Sequence, residues 1–416
     1  MKVLFITGEY PPMRGGVADQ VEGLAHALGD RDVSSTVLTS TAASGLRTQN
    51  GPVSVWPIIT GWSFASWPRI SQAVREAQAD LVHIQYQTAA YAMSPAINLL
   101  PFWLRRSTHR PVVTTLHDLR EPYLFPKASP IRSWVNRRLI LDSDCVIVTN
   151  GNDAFEVLRI QEKAGKGTKR PQLAIVPLII NSPPLVGPEF DRMSWRTKWG
   201  VAEGELLLGF FGFLNQSKGV DVILLALRQL LEVGVKARLM MIGEQVGASD
   251  ITNIAYRDMI LRMAHDLSLT ESIIWTGYMP LADLSAALAS LDICLLPYED
   301  GASFRRNTLI SALAHGIPVV TTVPKVEVAP AQFAALPWEG PTLVNRENCI
   351  LVHPKSPEAI VEAVMNLVSS NSLCQRLGQG GRAIANAFSP QAAAEKTVQV
   401  YRSVLEGAAK APIVSG

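Results

Sequence analysis

Short apolar runs rich in β-branched residues alternate with helix-length amphipathic segments along the whole chain. That alternation favours one architecture, parallel sheets wound by crossover helices. In the first half it predicts strands near Val3–Thr7, Ser35–Thr39, Leu81–Ile84, Val112–Leu116, Cys145–Thr149 and Ala174–Val176. A second series is expected near Leu206–Gly212, Ala237–Ile242, Ser272–Trp275, Ile293–Leu296, Pro318–Thr321 and Cys349–Val352. Between them "INSPPLVGPEFDRM" has little periodicity and several turn-formers, and reads as a linker. At 416 residues, 48% of them hydrophobic, the chain exceeds one ordinary core. The expected class is α/β, with two Rossmann-like domains facing a central cleft, over residues 1–182 and 190–389. A final helix over about 390–416 should pack back on the first domain.

Composition narrows the function classes. The four cysteines, Cys145, Cys294, Cys349 and Cys374, form no C-x-x-C pair and suggest a reducing compartment with no structural metal. The opening "MKVLFITGEYPP" reads as a buried first strand and not a signal peptide. The apolar stretch Tyr91–Leu104 is broken by two prolines and is too short to span a bilayer. A cytoplasmic protein is expected, at most peripheral on the inner face of a membrane. A net charge of +2 argues against a nucleic-acid partner, yet the basic residues cluster at Arg105, Arg106, Arg110, Arg120, Lys127, Arg132, Arg137 and Arg138. Five of the nine tryptophans, Trp56, Trp62, Trp67, Trp103 and Trp134, share that region. Such a face is either ordinary solvated surface or one that approaches an anionic membrane or acceptor.

Chemistry-bearing positions fall at strand ends. Gly15 and Gly16 stand directly before a helix with apolar residues at Val17, Val21, Leu24 and Leu28. A glycine pair there is either a turn or a place where a phosphate meets free N–H groups and the helix dipole. His117 ends an apolar strand and is followed by Asp118 and Arg120; His83 is read at a similar place on a neighbouring strand. Both suit the edge where α/β sheets bind ligands. In the second half Lys218 and Gly219 enter an amphipathic helix, where the lysine is either a diphosphate clamp or an ordinary solvated residue. The stretch "LDICLLPYEDGASFRRNTLISALAHGIPVVTT" runs strand, polar loop with Arg305 and Arg306, helix, and strand again. Ser303 or Asn307 is expected to cap that helix, and its start together with two guanidiniums would bind an anion.

These residues resemble glycosyltransferase family 4, a group of GT-B enzymes, over nearly the whole chain. The family's "PPxxGG" loop is matched by Pro11, Pro12, Gly15 and Gly16, and its "SKG" lysine by Lys218. "ALAHGIPVV" is similar to its "AMAxGxPVV" signature. The resemblance implies that Gly15 and Gly16 receive the donor diphosphate and that His117 meets the transferred sugar. It places Gly243 and Glu244 at the nucleotide, and Gly277, Tyr278 and Met279 at the base. His83, Asp118 and Arg120 would then lie on the acceptor side. Around the signature, Ser303, Phe304, Asn307, Thr308 and Ser311 would line the donor pocket.

The sequence also departs from the family. Its two glutamates, one at the sugar and one at the ribose, are replaced by Ser303 and Ser311, and the arginine of its "GRLxxxKG" motif by Phe213. A serine hydroxyl cannot take two ribose hydrogen bonds as a carboxylate does. Arg305 and Arg306 are therefore expected to restore the charge lost at Phe213, and Glu299 or Asp300 to supply a carboxylate. Asp142-Ser143-Asp144 looks like a metal-binding D-x-D but precedes a buried strand, so no metal site is read. The expected activity is metal-independent hexosyl transfer with retention, from a UDP- or GDP-linked sugar to a glycan, lipid-linked or small-molecule acceptor, as in polysaccharide biosynthesis. No other cofactor is implied. The rival readings are a degenerate member that binds nucleotide or glycan, and a sugar-nucleotide epimerase.

Overall fold

The protein is described from a computed structural model, in which residues 1–13, 15–43, 47–117, 129–165, 168, 170–245, 251–325 and 340–410 are placed. These divide into two compact units, one of residues 1–179 and 389–410 and one of residues 180–325 and 340–388.

In the first unit the strands β1 (Lys2–Thr7), β2 (Ser34–Ser40), β3 (Thr48–Asn50), β4 (Val53–Ile59), β5 (Leu81–Tyr86), β6 (Val112–Leu116), β7 (Cys145–Val148) and β8 (Gln172–Ile175) form one sheet in the order β3-β4-β2-β1-β5-β6-β7-β8. All pair in parallel except β3 with β4. Both faces are covered, so the strands are apolar on both sides. Val3 and Phe5 of β1 pack under helix α1 (Gly16–Gly29), and Leu4 and Ile6 pack on the opposite face with α2 (Trp67–Glu76), α3 (Ala96–Ser107) and α4 (Ser129–Asp142). Each fully buried aliphatic side chain of this kind contributes roughly 1.5–3 kcal/mol. The helix α5 (Gly151–Glu162) follows β7, its N-terminus capped by Asn150.

The last helix, α13 (Pro390–Lys410), belongs to this unit. It buries Ala394, Val398, Tyr401 and Val404, spaced at one helical face, against α1 and the sheet. The hairpin of β3 and β4 is absent from the sequence-based strand pattern. Its signals are the two-residue Gly51-Pro52 turn and the strict alternation of buried and half-buried residues in "VSVWPII". Pro57 obscures them, and β4 accepts it because the pairing with β3 ends at Val55.

In the second unit β9 (Leu206–Phe211), β10 (Ala237–Ile242), β11 (Ile273–Gly277), β12 (Ile293–Leu296), β13 (Val319–Thr322) and β14 (Ile350–Val352) form a parallel sheet in the order β11-β10-β9-β12-β13-β14. Counted within the unit this is 3-2-1-4-5-6, the doubly wound order whose switch point lies between the first and fourth strands. The helices are α6 (Arg192–Lys198), α7 (Val220–Glu232), α8 (Ile251–Asp266), α9 (Leu281–Ser290), α10 (Asn307–Ala314), α11 (Pro357–Val368) and α12 (Asn371–Ala385). Among the described residues no helix is long and apolar enough to cross a membrane.

The signature "ALAHGIPVV" is a packing joint here. His315 Nδ1 lies 2.8 Å from the Ser311 carbonyl and Nε2 lies 3.0 Å from Ser285 Oγ, which ties α10 to α9. The guanidinium of Arg382 donates to the His315 carbonyl at 3.1 Å. Asp292, ahead of β12, accepts from Arg192 at 2.6 Å, from Arg196 at 3.0 Å and from the Leu207 N–H at 2.7 Å. Arg196 is 4% exposed, so removing its carboxylate leaves a buried charge unpaired. Asp292→Ala is expected to destabilise this unit by about 3 kcal/mol or more, read as a lower urea midpoint in tryptophan fluorescence.

Candidate functional site

The ends of the parallel strands carry the chemistry in each unit. In the first, β1 ends at Thr7 and the chain reaches α1 through Glu9, Tyr10 and the Pro11-Pro12 pair. Gly15 takes the N-cap position in an extended conformation with no side-chain cap, and a Cβ on Gly16 would meet open space. Neither glycine is demanded by the protein's own packing there, since a Cβ on Gly15 meets chiefly the mobile carboxylate of Glu9. The start of α1 is left accessible to a ligand's approach. Burial holds the Glu9 carboxyl above its ordinary pKa.

His117 follows β6. Its Nε2 lies 2.8 Å from Gln85 Oε1 on the neighbouring strand β5. Gln85 Nε2 lies 3.1 Å from His83 Nε2, which is also 2.7 Å from Thr115 Oγ1. His83 Nδ1 in turn lies 2.6 Å from the Tyr401 hydroxyl on α13. Burial lowers the His83 pKa to about 3 and that of His117 to about 4, so both rings are neutral at physiological pH. A cavity of about 30 Å3 beside them is lined by Gln20, Gln85, Thr115, His117, Thr149 and Thr397 among others.

In the second unit the site lies at the β9/β12 switch point. After β9, Gly212 has φ +127°, and a Cβ there would fall against Lys218 Nζ and 3.3 Å from Thr308 Cγ2. Only glycine fits that junction of strand end, lysine and helix start. Gly219 has φ +65° and lies against the Pro297 carbonyl, so it too must be glycine, and it delivers Lys218 into α7. Beyond β12, Tyr298 is fully buried with its hydroxyl 3.0 Å from Thr308 Oγ1. The Arg306 guanidinium lies 4.1 Å over the Tyr298 ring and pairs with Asp300. Lys218 and Arg306 therefore converge on the start of α10, where the helix dipole adds positive potential. Burial, and secondarily Arg306, lower the Lys218 pKa from 10.5 to about 8. Among the described residues Lys218 forms no ion pair.

The structure redraws several expected roles. His83 does not end its strand: it lies inside β5, fully buried, and acts on other protein groups instead of an acceptor. Asp118 and Arg120 lie outside the described residues. Neither Ser303 nor Asn307 caps α10. Arg306 occupies the N-cap without a side-chain bond, Ser303 Oγ accepts from the Arg305 N–H at 3.3 Å, and Asn307 Oδ1 accepts from the Asn181 N–H at 2.8 Å. The two arginines are placed differently: Arg305 is exposed while Arg306 stacks on Tyr298. Ser311 is buried inside α10, and its hydroxyl has no hydrogen-bond partner among the described residues. The carboxylates proposed as substitutes are engaged, Asp300 with Arg306 and Glu299 with Lys355 at 3.5 Å. Asp142 pairs with Arg138, and Asp144 accepts from the Val112 N–H at 2.9 Å, so the D-x-D is spent on structure.

Phe304 is largely buried, its ring 5.0 Å from that of Phe388. Phe213 and Tyr278 are exposed, as is Glu244, and Met279 is half-buried. Gly243 and Gly277 are joined by an isolated backbone bridge at the ends of β10 and β11. Sequence reasoning missed Gly212, Tyr298, Gln85 and Tyr401. A glycine at the end of "LLLGFFG" and a polar residue inside "LVHIQY" are the signals that were available.

Charged Lys218 beside Arg306 weakens the fold in the absence of an anion, because the unfolded chain holds the lysine proton more tightly than the folded one. Lys218→Met is therefore expected to raise the melting temperature of the unliganded protein by a few degrees. The same substitution should remove the rise that pyrophosphate or a nucleoside diphosphate produces in the unsubstituted chain. Differential scanning fluorimetry reads both.

Two family models match the chain, "Glycosyl transferase 4-like domain" over residues 15–167 and "Glycosyl transferases group 1" over residues 205–370. A D-inositol 3-phosphate glycosyltransferase of Segniliparus rotundus is 25% identical over 54% of this chain, a stretch that spans 45% of the relative's own length. Among solved structures, sucrose-phosphate synthase of Thermosynechococcus elongatus superposes with a TM-score of 0.70 at 18% identity, covering 98% of this chain and 99% of that one. HepE of Anabaena, in complex with UDP, gives a TM-score of 0.69 at 17% identity over 97% and 100% of the two chains. With both units matched by glycosyltransferase models and both folds by GT-B structures, the chain belongs to the family 4-like glycosyltransferases of the GT-B fold.

Proposed function

We propose that this protein transfers a sugar from a nucleoside-diphosphate sugar to an acceptor hydroxyl with retention of configuration. The observation that carries the reading is the convergence of Lys218 and Arg306 on the start of α10, at the switch point of the second sheet. As the bond from the anomeric carbon to the phosphate oxygen breaks, negative charge develops on the leaving diphosphate. Two cations and a helix dipole stand ready to meet it without reorganisation and without calling on a metal. The acceptor oxygen bonds to the same carbon, and its proton passes to the departing phosphate oxygen.

The likeness to HepE, whose structure holds UDP, supports uridine diphosphate sugars as the first donors to screen. Donor hydrolysis and transfer across a panel of nucleotide sugars tests the activity directly. Arg306→Ala should lower kcat/KM by about 100-fold or more, whereas exposed Arg305→Ala should stay within about threefold. Equal effects of the two would remove Arg306 from the diphosphate site. A second reading, a nucleotide-binding member without transfer, is favoured by one observation: Ser311, at the position of the family's ribose glutamate, is buried and its hydroxyl has no hydrogen-bond partner among the described residues. Nucleotide binding by calorimetry with no donor turnover would select it.

The acceptor is read as membrane-borne or lipid-linked. The support is an exposed aromatic and basic surface on α3 and α4, where Phe102 is 41% exposed under the Arg106 guanidinium at 3.9 Å and Trp134 is 52% exposed. One face thus joins large apolar groups to cations, as anionic bilayers require. Cosedimentation with vesicles containing phosphatidylglycerol, lost in Phe102→Ser/Trp134→Ser, is the expected result. No cosedimentation of the unsubstituted protein would retire this reading.

A further inference from the structure

The polar chain from Tyr401 to His117 runs through a buried region, and the positions of its protons decide what His117 offers a ligand. Four contacts link it: Tyr401 hydroxyl to His83 Nδ1 at 2.6 Å, His83 Nε2 to Thr115 Oγ1 at 2.7 Å, His83 Nε2 to the Gln85 amide at 3.1 Å, and the Gln85 amide to His117 Nε2 at 2.8 Å. With both rings neutral the chain admits two proton registers.

In the first, the Gln85 amide nitrogen faces His83 and its oxygen accepts from His117 Nε2–H. His83 then carries its proton on Nδ1 and donates it to Tyr401. This register has two faults. The Tyr401 hydroxyl proton has no acceptor, because His83 is its one polar contact among the described residues and the side chain is fully buried. The single lone pair on His83 Nε2 must also receive both the Thr115 hydroxyl and the Gln85 N–H. A buried donor without an acceptor is costly.

In the second register the Gln85 amide is turned by half a turn, an exchange of nitrogen and oxygen that leaves its shape unchanged. Tyr401 donates to His83 Nδ1, and His83 Nε2–H donates to Thr115 and the Gln85 oxygen. The Gln85 N–H donates to His117 Nε2. Thr115 and Gln85 line the 30 Å3 cavity, room for about one water, which can take their remaining protons. Every buried proton then has an acceptor, and His117 carries its own proton on Nδ1.

We propose that Tyr401, His83 and Gln85 are positioning residues that hold His117 as an Nδ1–H hydrogen-bond donor toward an oxygen of the transferred sugar, and so keep it from acting as a base. This deepens the transferase reading and rests on it for the identity of the ligand. It agrees with a reaction in which the acceptor proton goes to the departing phosphate. The control comes from far along the chain, since the terminal proton of the relay is supplied by the last helix.

Histidine-15N labelling of the full chain, with ring nitrogens read in long-range proton–nitrogen spectra, tests it. Spectra of His117→Gln and His83→Gln assign the two rings among the seven histidines. The expected result is His117 protonated on Nδ1 alone and His83 on Nε2 alone. In Tyr401→Phe the bias is lost, so both rings should move toward the opposite tautomer, and kcat for transfer should fall about tenfold with donor KM unchanged. Gln85→Glu provides a second route, because a carboxylate can only accept: His117 should take its proton on Nε2. His117 protonated on Nε2 in the unsubstituted chain, or unmoved in both variants, overturns the proposal. Absence of transfer in the unsubstituted chain would instead overturn the function proposed above, and the spectra would still decide the relay.

Discussion

Parallel pairing of β1 with β5, and of β9 with β12, is the constraint on which the rest of each unit depends. At both places the strand order reverses, so the following helices leave in opposite directions and a crevice opens at the carboxyl ends of the strands. The candidate site groups stand beside these crevices: the start of α1 and His117 in the first unit, and Gly212, Lys218 and Tyr298 in the second. Covering both faces of each sheet with helices buries most of its central strands on both sides. Polar residues within them, such as His83, Gln85 and Thr115, are then obliged to satisfy one another.

The second crevice is a place where the fold accepts a local penalty. Burying Lys218 next to Arg306 opposes folding through desolvation and like charge, while Asp300 neutralises only Arg306. An anion bound at the start of α10 would relieve both terms, which is what the proposed diphosphate site requires. The glycines at 212 and 219 belong to the same arrangement. The first lets Lys218 Nζ approach a strand end, and the second turns the chain under Pro297 into α7. The signature "ALAHGIPVV" has a different task, since His315 and Gly316 join α9, α10 and α12 and so fix where α10 begins.

Much of this was legible before the structure. The alternation of strand and helix segments located twelve of the strands because burial on both faces leaves a continuous apolar run. The β3–β4 hairpin escaped because Pro57 disrupts the run. Gly15, Gly16, Lys218 and Arg306 were legible as candidates because each stands at a loop-to-helix junction, which the structure shows as the starts of α1, α7 and α10. Residues whose placement depends on side-chain direction could not be told apart. Arg305 and Arg306 are adjacent in sequence, yet Arg306 lies over Tyr298 while Arg305 stays exposed. His83 and His117 look alike as histidines in or after a strand, but one lies inside its strand and the other beyond it.

The amino-acid sequence by itself determined the α/β class, the family and where the glycine-bearing loop-to-helix junctions fall, because hydrophobic periodicity and glycine placement are local properties of the chain. Only the tertiary structure decided that Arg306 stacks on Tyr298 while Arg305 stays exposed, that Ser311 is sealed inside α10, and that Tyr401 reaches His83 from 318 residues away. Those outcomes depend on which side chains share a few ångströms of buried space. Hydrogen bonding and desolvation act over that distance whatever the separation along the chain.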